Sequence, residues 1–459
     1  MEGDRQKTRY EQPALWEEGK GEAPTVPRQG TEPPAASRAT ESPAEIRFLM
    51  EGVVGRDNME KALKRVMANR GSPGADGMRV SELPGHLEKN WDEIKEQLLS
   101  GTYQPSPVRR VEIPKPNGGK RPLGIPTAID RLIQQAIAQV LNPIFETGFS
   151  QGSYGFRPKR SAHQATARAQ TYIEEGYGWV VDMDIEKFFD NVNHDALMAR
   201  VARKVADKRA LKVIRAFLNS GVMEGGLVSP TDIGTPQGGP LSPLLSNIYL
   251  DDLDRELERR GHRFVRYADD CNVYVASERA GLRVMESLSR FLENKLKLKV
   301  SAEKSAVTRP FQGSFLGFSF TPGKNPRRRI APKAIERLKK RVRELTRRTR
   351  GISLEQMVAE LNRYLRGWRG YFGFCQTPTV LRDLDSWIRR RLRSFIWKQM
   401  KRGRRRFAEL TAQGVSKNLA AQTAGSTHGP WRVSRSPGLS YAYPNAFFSA
   451  LGLVSLEHG

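Results

Sequence analysis

Three aspartates stand at the ends of short apolar stretches that have the composition of β-strands. Asp184 follows the stretch WVVDM, and Asp269 and Asp270 interrupt the run FVRYADDCNVYV. Carboxylates beside buried strands repel one another and lose hydration, and a bound hard cation relieves both costs. Mg²⁺ suits such a sparse site because water and substrate phosphates complete its coordination. Asp-Asp is also a common turn sequence, so YADD alone is compatible with a plain hairpin turn.

A metal site of this composition indicates chemistry on phosphate groups. Two ions about 4 Å apart can activate an attacking hydroxyl and stabilise the leaving oxygen of an in-line phosphoryl transfer. We therefore expect two Mg²⁺ ions as cofactor, with Mn²⁺ as an alternative ion.

The charge of the chain indicates a polyanionic partner, of which nucleic acid is the commonest. The net charge is +26 over 459 residues, too large an excess for an ordinary enzyme of small molecules. Residues 321–459 hold 30 Lys and Arg against 8 Asp and Glu, whereas the first 320 residues hold 46 against 42. The basic region is thus expected to bind phosphates, with an affinity that falls as salt rises.

The cysteine content and the hydropathy exclude several classes of protein. Cys271 and Cys375 are the only cysteines, so a disulfide framework and a cysteine-based zinc site are excluded. No apolar run reaches the length of about 18 residues that a membrane helix needs, and the N-terminal residues lack the apolar core of a signal peptide. We expect a cytoplasmic protein without a membrane partner.

The elements that must position the aspartates form a mixed body followed by basic helices. Residues 109–126 predict a hairpin with Pro-Asn-Gly-Gly at its turn, and the segments 264–267 and 272–276 predict a second hairpin around Ala-Asp-Asp-Cys. Short strands are expected at 179–184 and 314–320. Apolar residues at helical spacing predict helices at about 58–69, 87–99, 128–145, 162–174, 195–206, 210–219, 242–260, 281–296, 332–349, 354–372 and 378–401.

Five motifs follow one another over about residues 46–320. In chain order they are SYGFRPKRSAHQA, VVDMDIEKFFDNVNH, GTPQGGPLSPLLSNIYLDDLD, YADD and FLGFSF. Their types and order resemble the reverse transcriptases encoded by bacterial group II introns, also called intron-encoded maturases. The resemblance implies an α+β fold, a right-hand polymerase with fingers and palm, followed by an all-α thumb called the maturase X domain.

The resemblance also implies which acids are catalytic. Asp184, Asp269 and Asp270 match the family's metal-binding and catalytic aspartates. We choose Asp184 over Asp182 because the family's first catalytic aspartate stands five residues before an aromatic residue, here Phe189. Asp182 is interpreted as a strand-edge residue.

A further set of residues is implied to meet the incoming nucleotide. A guanidinium beyond the first hairpin turn can hold phosphate oxygens bidentately, and an aromatic ring after the first catalytic aspartate resembles the steric gate that excludes a ribose 2′-hydroxyl, although core packing would also explain it. A lysine in SAEKS resembles one that protonates the leaving pyrophosphate, although it is equally compatible with a plain surface lysine. The set consists of Lys120, Arg121, Phe189, Gln237 and Lys304.

The segment GWRGYF in the basic region resembles the thumb of the same family, which is implied to bind template–primer duplex and intron RNA. Apolar stripes on these helices are assigned to the core. A-form RNA is recognised largely through shape and phosphates, which suits many arginines. The predicted template- and RNA-binding residues are Arg157, Arg341, Arg347, Arg348 and Arg366. For Arg157 a structural ion pair is the alternative.

The composition predicts four domains. They are a disordered leader over 1–45, fingers and palm with an N-terminal extension over 46–320, the thumb over 321–400, and a basic extension over 401–459 that is a candidate DNA-binding segment. Many members of the family add an HNH nuclease with cysteine pairs beyond this point. We expect a form that lacks this nuclease and primes synthesis from a nick or a replication-fork strand.

The predicted function is RNA-directed DNA polymerase. The resemblance further implies binding of the parent intron RNA to assist splicing, and intron mobility by target-primed reverse transcription. The expected partners are group II intron RNA, an RNA template–DNA primer duplex, target DNA and dNTP. A splicing-only RNA-binding maturase and a non-intron retroelement or defence reverse transcriptase are the alternatives.

Overall fold

A computed structural model describes residues 48–114, 120–224, 227–229 and 238–458 of the chain. The predicted leader over 1–45, the predicted turn at 116–119 and Gln237 lie outside these residues. No helix in the described part of the chain is long and apolar enough to span a membrane.

Helices and short strands alternate along the body, and helices dominate after residue 331. The strands are β1 (Val108–Pro114), β2 (Lys120–Ile125), β3 (Trp179–Met183), β4 (Val222–Glu224), β5 (Leu227–Ser229), β6 (Arg263–Tyr267), β7 (Asp270–Val275), β8 (Ala306–Thr308), β9 (Phe318–Phe320) and β10 (Arg328–Ile330). The helices are α1 (Leu49–Val54), α2 (Arg56–Asn69), α3 (Leu83–Ser100), α4 (Ala128–Glu146), α5 (Ala162–Glu174), α6 (Phe188–Asn191), α7 (His194–Val201), α8 (Lys208–Asn219), α9 (Ser242–Arg259), α10 (Glu278–Lys295), α11 (Pro332–Leu345), α12 (Leu354–Phe372), α13 (Thr379–Gln399), α14 (Gly403–Ala412), α15 (Lys417–Ala424), α16 (Pro430–Val433), α17 (Pro437–Ala442) and α18 (Asn445–Ala450).

The chain forms two compact units from interleaved segments. The first unit contains the residues up to Phe149 together with Glu186–Asp252 and Leu296–Leu298. The second contains Ser150–Ile185, Leu253–Lys295 and the residues from Lys299 onward.

The first unit contains a four-stranded sheet in the order β2-β1-β4-β5. Strands β1 and β2 are antiparallel with Val111 opposite Leu123, so the predicted hairpin is confirmed. Strand β4 runs parallel to β1 and antiparallel to β5. Helix α4 buries an apolar face that includes Leu132 and Ile137.

The second unit contains a four-stranded sheet in the order β6-β7-β3-β8. Strand β3 runs antiparallel to both of its neighbours, and its residues Val180, Val181 and Met183 are buried. A strand with neighbours on both sides and apolar residues on both faces is a central strand. The predicted strand at 179–184 and the second predicted hairpin are therefore confirmed, and β3 ends immediately before Asp184.

The helices after residue 331 share one buried cluster. Leu338, Leu361 and Leu392 of α11, α12 and α13 have no exposed surface and lie in this cluster with residues of β10. Helices α14 to α18 add Leu410 and Phe448 to the same cluster, among other residues. The segment 401–459 thus packs on the preceding helices through apolar contacts.

A buried carboxylate fastens the end of the chain to α13. Asp385 accepts hydrogen bonds from Ser455 Oγ at 2.7 Å and from the backbone nitrogen of Leu456 at 2.9 Å. Asn362 of α12 adds two further bonds to the same segment, from its Nδ2 to the carbonyl of Gly452 and from the nitrogen of Val454 to its Oδ1.

Most predicted helices are present, with ends that differ by a few residues. Helix α12 has the predicted bounds, but α7 ends at Val201 and α11 at Leu345, both before the predicted ends at 206 and 349. The stretch predicted as a strand at 314–320 is a strand only over Phe318–Phe320, because residues 315 and 318 instead close a tight turn with Gly317 at φ +79°. Glycine adopts this left-handed backbone without strain.

A polar cluster is buried in the first unit around Asp130. Its carboxylate accepts hydrogen bonds from Tyr103 Oη at 2.8 Å, Thr127 Oγ1 at 2.7 Å and the nitrogen of Ser106 at 3.2 Å. Burial nevertheless outweighs these bonds and raises the pKa of Asp130 to about 6. Asp130 is therefore protonated in the folded protein at a pH where the unfolded chain is ionised.

The raised pKa predicts how stability depends on pH. A carboxyl with a raised folded pKa contributes stability that is fully present below about pH 4 and is lost as pH rises through about 6. This contribution is at most about 3 kcal/mol for a shift of about two units. We expect the free energy of unfolding of the wild type, minus that of Asp130→Asn, to fall between pH 4 and pH 7. Urea denaturation at several pH values measures this difference, and Asp57→Asn, at an exposed position, is the control. A difference that does not change with pH would contradict the raised pKa of Asp130.

Candidate active site

The register of the central sheet brings the predicted catalytic aspartates to one end of it. Met183 of β3 pairs with Cys271 of β7, so Asp184, the next residue, follows β3 where β7 begins with Asp270. Tyr267 pairs with Asp270 across the β6–β7 hairpin, which leaves Asp269 in the tight turn between them. Strand pairing thus brings Asp184 to the end of the sheet that carries Asp269 and Asp270, which are far from it in the sequence.

The motif SYGFRP packs directly on the turn of the second hairpin. The backbone nitrogen of Tyr154 donates to the carbonyl of Arg266 at 2.8 Å, and a side chain at Gly155 would collide with the backbone nitrogen of Ala268. Phe156 follows with φ +57° and with 48% of its surface exposed, and its ring centre lies 6.4 Å from that of Tyr267. The glycine is needed here because two backbone segments touch.

A buried ion pair supports the same turn from behind. Arg266 and Asp254 have no exposed side-chain surface, and the guanidinium donates to both carboxylate oxygens at 2.7 and 2.6 Å. It also donates to the carbonyl of Ala268 at 2.8 Å and to Ser153 Oγ at 2.9 Å. Ala268 itself has φ +59°. The ion pair therefore holds the strained turn that carries Asp269.

Sequence analysis missed this pair, although the sequence contained a signal for it. Arg266 is a charged residue inside the apolar strand FVRY, and a buried charge needs a partner. The partner, Asp254, stands in the motif LDDLD twelve residues earlier and could not be selected from its neighbours by spacing alone.

Lys304 is brought to Asp184 by backbone contacts on both sides of that aspartate. The nitrogen of Ser301 donates to the carbonyl of Asp184 at 2.8 Å, and the nitrogen of Asp184 donates to Ser305 Oγ at 3.0 Å. Lys304 Nζ then lies 3.3 Å from Asp184 Oδ1 and 3.4 Å from Oδ2. This position is compatible with both interpretations of Lys304, a proton donor and a surface lysine in an ion pair.

Asp182 lies on β3 opposite Asn272 of β7. With the amide nitrogen of Asn272 facing the carboxylate, the distance to Asp182 Oδ1 is 2.8 Å. Burial, followed by the charge of Asp184, raises the pKa of Asp182 to about 6. Asp182 thus makes its contact across the sheet, to the neighbouring strand.

The site has the donor type that a hard divalent cation requires. Asp184 is partly accessible, with 33% of its side chain exposed, and the backbone places it beside Asp270 and Asp269. The ammonium group of Lys304 stands against the Asp184 carboxylate and balances part of its charge. Within the described residues no three His, Cys, Asp or Glu side chains converge as a ready metal cluster. The residues fit a divalent ion in type and backbone position.

The predicted nucleotide-binding residues of the first hairpin lie in the first unit. Lys120 opens β2 and is exposed, with its Nζ 2.5 Å from Glu112 Oε2, and this carboxylate raises the pKa of Lys120. Arg121 lies opposite Ile113 in the same hairpin. Gln237 is outside the described residues.

The predicted steric-gate residue stands on the short helix α6 of the first unit. Phe188 is 2% exposed and packs edge-on against Phe189 with 5.1 Å between ring centres, and against Tyr249 with 6.2 Å. Phe189 is only partly buried. Of the two neighbouring rings, Phe188 is the one that fills the core.

The glycine pair of GTPQGGP is held close to other parts of the first unit. Gly238 has φ +130°, and a Cβ there would lie 2.5 Å from the carbonyl oxygen of Gly124. A Cβ at Gly239 would collide with the side chain of Gln134. The protein's own atoms thus lie close to both glycines.

The predicted RNA-binding arginines differ in exposure. Arg157 is 7% exposed, and its guanidinium donates to the carbonyls of Ser150 and Ser153, the latter at 2.8 Å. These two bonds go to backbone carbonyls, whereas the structural alternative given for Arg157 was an ion pair. The others are exposed, namely Arg341, which pairs with Glu344 at 2.9 Å, Arg347, Arg348 and Arg366.

Two segments of the chain match known protein families. Residues 113–320 match the family described as reverse transcriptase (RNA-dependent DNA polymerase). Residues 335–413 match the group II intron, maturase-specific domain. The first match contains Asp184, Asp269 and Asp270, and the second covers most of α11 and all of α12 to α14.

Individual relatives agree with these assignments. The chain is 33% identical over 320 residues to Protein YkfC of Escherichia coli (strain K12), over 61% of this chain and 84% of that protein. It is 33% identical over 323 residues to the group II intron-encoded protein LtrA of Lactococcus lactis subsp. cremoris, over 56% of this chain and 54% of LtrA. A solved structure titled Partial Cas6-RT-Cas1--Cas2 complex is 27% identical over 54% of this chain and 43% of that chain. Its TM-score of 0.35 carries no conclusion about the fold.

The chain is an RNA-directed DNA polymerase with a fingers and palm region followed by a helical maturase-type region. It belongs to the family of group II intron-encoded reverse transcriptases with a maturase domain. Its function is reverse transcription together with assistance of intron splicing, which requires a divalent metal ion and binding of intron RNA and other nucleic acid.

The buried ion pair behind the hairpin predicts a large effect on stability. Arg266→Leu leaves the Asp254 carboxylate buried and unpaired, so we expect the free energy of unfolding to fall by about 3–5 kcal/mol. Arg263→Leu, at an exposed position of the same strand, is expected to change it by less than about 0.5 kcal/mol. Urea unfolding measures both. Equal effects of the two substitutions would show that the pair does not support the turn.

Proposed function

We propose that Asp184, Asp269 and Asp270 bind two Mg²⁺ ions and that the chain extends a DNA primer on an RNA template. The observation that carries this proposal is the β3–β7 register, which brings Asp184 beside the Asp269–Asp270 turn. Three carboxylates with one nearby ammonium leave a net negative site, which favours divalent cations. Mn²⁺ has the same preference for oxygen ligands and is expected to substitute.

Asp184, Asp269 and Asp270 would hold the ions, which would supply Lewis-acid activation of the primer 3′-hydroxyl for attack on the α-phosphorus of a dNTP and charge stabilisation for the leaving pyrophosphate. The protein orients the carboxylates through the rigid hairpin and the Arg266–Asp254 pair. Lys304, 3.3 Å from Asp184, is suited to give a proton to the leaving pyrophosphate. Asp182, which faces the amide of Asn272, is left out of the ligand set because the family's first catalytic aspartate matches Asp184.

We assign nucleotide binding to Lys120, Arg121, Phe189 and Gln237 by their match to the family's motifs. Lys120 and Arg121 follow the first hairpin turn and supply positive charge for the triphosphate. Phe189 is partly accessible beside a buried partner ring, which suits contact with the sugar of the nucleotide.

On the RNA side, we assign phosphate contacts to four exposed arginines: Arg341 and Arg366, which lie on α11 and α12, and Arg347 and Arg348, which lie in the segment after α11. The proposed partners are the parent intron RNA, a template–primer duplex, target DNA and dNTP, and the proposed role in mobility is target-primed reverse transcription. The proposed domains keep the boundaries 46–320, 321–400 and 401–459, and a cytoplasmic location rests on the sequence alone.

The polymerase assignment predicts loss of activity when a metal ligand is removed. Extension of oligo(dT) on poly(A) with dTTP and Mg²⁺ should fall at least about 10³-fold in Asp269→Ala, because metal binding and charge stabilisation supply most of the catalysis. Glu293→Ala, an exposed carboxylate on α10, should retain wild-type extension. Splicing of the intron RNA should survive in Asp269→Ala. If wild type and Asp269→Ala extend equally little, the chain acts as a splicing-only maturase.

The steric-gate assignment predicts a change in sugar selectivity. Phe189→Ala removes the ring that would crowd a 2′-hydroxyl, so the ratio of dTTP to UTP incorporation should fall by roughly 10- to 100-fold. Phe189→Tyr keeps the ring and should keep the selectivity. Single-nucleotide extension with each substrate measures the ratio. An unchanged ratio in Phe189→Ala, with extension retained, would assign Phe189 to packing.

A further inference from the structure

A small cavity lies among the basic helices of the second unit. Its volume is about 150 Å³, and it is lined by Arg348, Arg391, Ser394 and Trp431. Arg391 and Ser394 come from α13, Trp431 from α16, and Arg348 from the segment that follows α11. The lining combines two guanidinium groups, a hydroxyl and an indole ring.

The charge around this cavity is not balanced by acids. Burial, followed by the charges of Arg343 and Arg348, lowers the pKa of Arg391 to about 10. Burial and Arg435 lower the pKa of the neighbouring Arg390. Among the ion pairs between described residues, none includes any of these five arginines. An anion would relieve their mutual repulsion.

The guanidinium of Arg391 is fixed in place before any ligand arrives. Its Nε donates to Thr346 Oγ1 at 2.6 Å, and its Nη2 reaches the carbonyls of Thr346 at 3.4 Å and Arg343 at 3.5 Å. Because these contacts occupy Nε and one terminal nitrogen, the other terminal nitrogen, Nη1, is left for a ligand. A rigid, half-buried guanidinium is a stronger anion-binding group than a mobile surface one.

The indole of Trp431 is also fixed but remains accessible. Arg390 stacks on it with its guanidinium carbon 3.7 Å from the ring centre, and donates from Nη2 to the carbonyl of Trp431 at 2.9 Å. The residue nevertheless keeps 37% of its surface exposed. A large aromatic ring held in place beside guanidinium groups is typical of surfaces on which nucleic-acid bases stack.

We propose that this cavity binds one unpaired nucleotide, with its phosphate between Arg348 and Arg391 and its base stacked on the exposed part of Trp431. The ligand must be unpaired because the faces of a base inside a duplex are covered by its neighbours. The proposal rests on the proposed function, in that the chain handles nucleic acid. It goes beyond it by giving the basic helices a site for a single strand in addition to a surface for duplex phosphates.

Arg348→Gln and Trp431→Leu test the two halves of the site, because both side chains are exposed and neither carries core packing. Binding of a fluorescent 12-nucleotide RNA, the DNA of the same sequence and a blunt RNA duplex is measured by anisotropy at several salt concentrations. Each substitution should weaken single-strand binding about tenfold. Duplex binding should fall less than twofold in Trp431→Leu, and in Arg348→Gln it should fall by less than single-strand binding does, because that substitution also removes a proposed phosphate contact. Arg283→Gln, which removes an exposed arginine from α10, should change all three less than twofold.

The salt dependence separates charge from stacking. Arg348→Gln should lower the slope of log affinity against log salt by about 0.7, the value of one single-strand phosphate, whereas Trp431→Leu should leave the slope unchanged. Equal losses on RNA and DNA would assign recognition to phosphate and base, and a loss confined to RNA would add the 2′-hydroxyl.

Two outcomes would overturn the site. One is that both variants bind single strands as Arg283→Gln does, and the other is that the duplex loses as much affinity as the single strands. Primer extension on poly(A) by the wild type and Asp269→Ala is run in parallel. If the two variants show no selective loss of single-strand binding while the wild type extends the primer normally, the nucleotide site alone is rejected. If the wild type does not extend the primer but the variants show the expected binding losses, the polymerase assignment alone is rejected.

Discussion

The buried ion pair between Arg266 and Asp254 is the interaction on which the arrangement of the catalytic acids depends. A guanidinium with no exposed surface must have acceptors for its donors, and it finds them in Asp254, Ser153 and the carbonyl of Ala268. These acceptors come from a helix, from the first residue of SYGFRP and from the hairpin turn itself. The turn can therefore hold acids close to one another, because its geometry does not depend on the acids' own contacts.

The arginines of the basic helices have two separate uses. Several fasten the fold by donating to backbone carbonyls, as Arg393 does to Tyr443 at 2.8 Å and Arg406 to Met400 at 2.8 Å. Others, such as Arg347 and Arg366, are exposed and make no contribution to packing. A count of positive charge therefore overstates the surface that is free to bind RNA, because carbonyl caps and phosphates compete for the same guanidinium groups.

The two segments that match known families differ in structure and in charge. Residues 113–320 contain a sheet whose pairing concentrates negative charge for chemistry. Residues 335–413 are helices that bury an apolar stripe and keep arginines outside, which suits binding of a large polyanion. The helices of 403–450 pack into the same apolar cluster. The candidate DNA-binding extension is consequently supported by the helices it follows.

The sequence by itself determined the class of the protein, the order of its motifs and most of its helices, because these depend on residue types and on local spacing. Helix α12 and both hairpins were predictable from periodicity and turn residues. The tertiary structure alone decided that Asp254 is the partner of Arg266, that Arg157 donates to carbonyls, and that Phe188 rather than Phe189 fills the core. It also brought Arg348, Arg391 and Trp431 around one cavity. In each case several residues of similar type could contact a distant partner. Strand register and helix packing determine which of them does, and the local sequence does not.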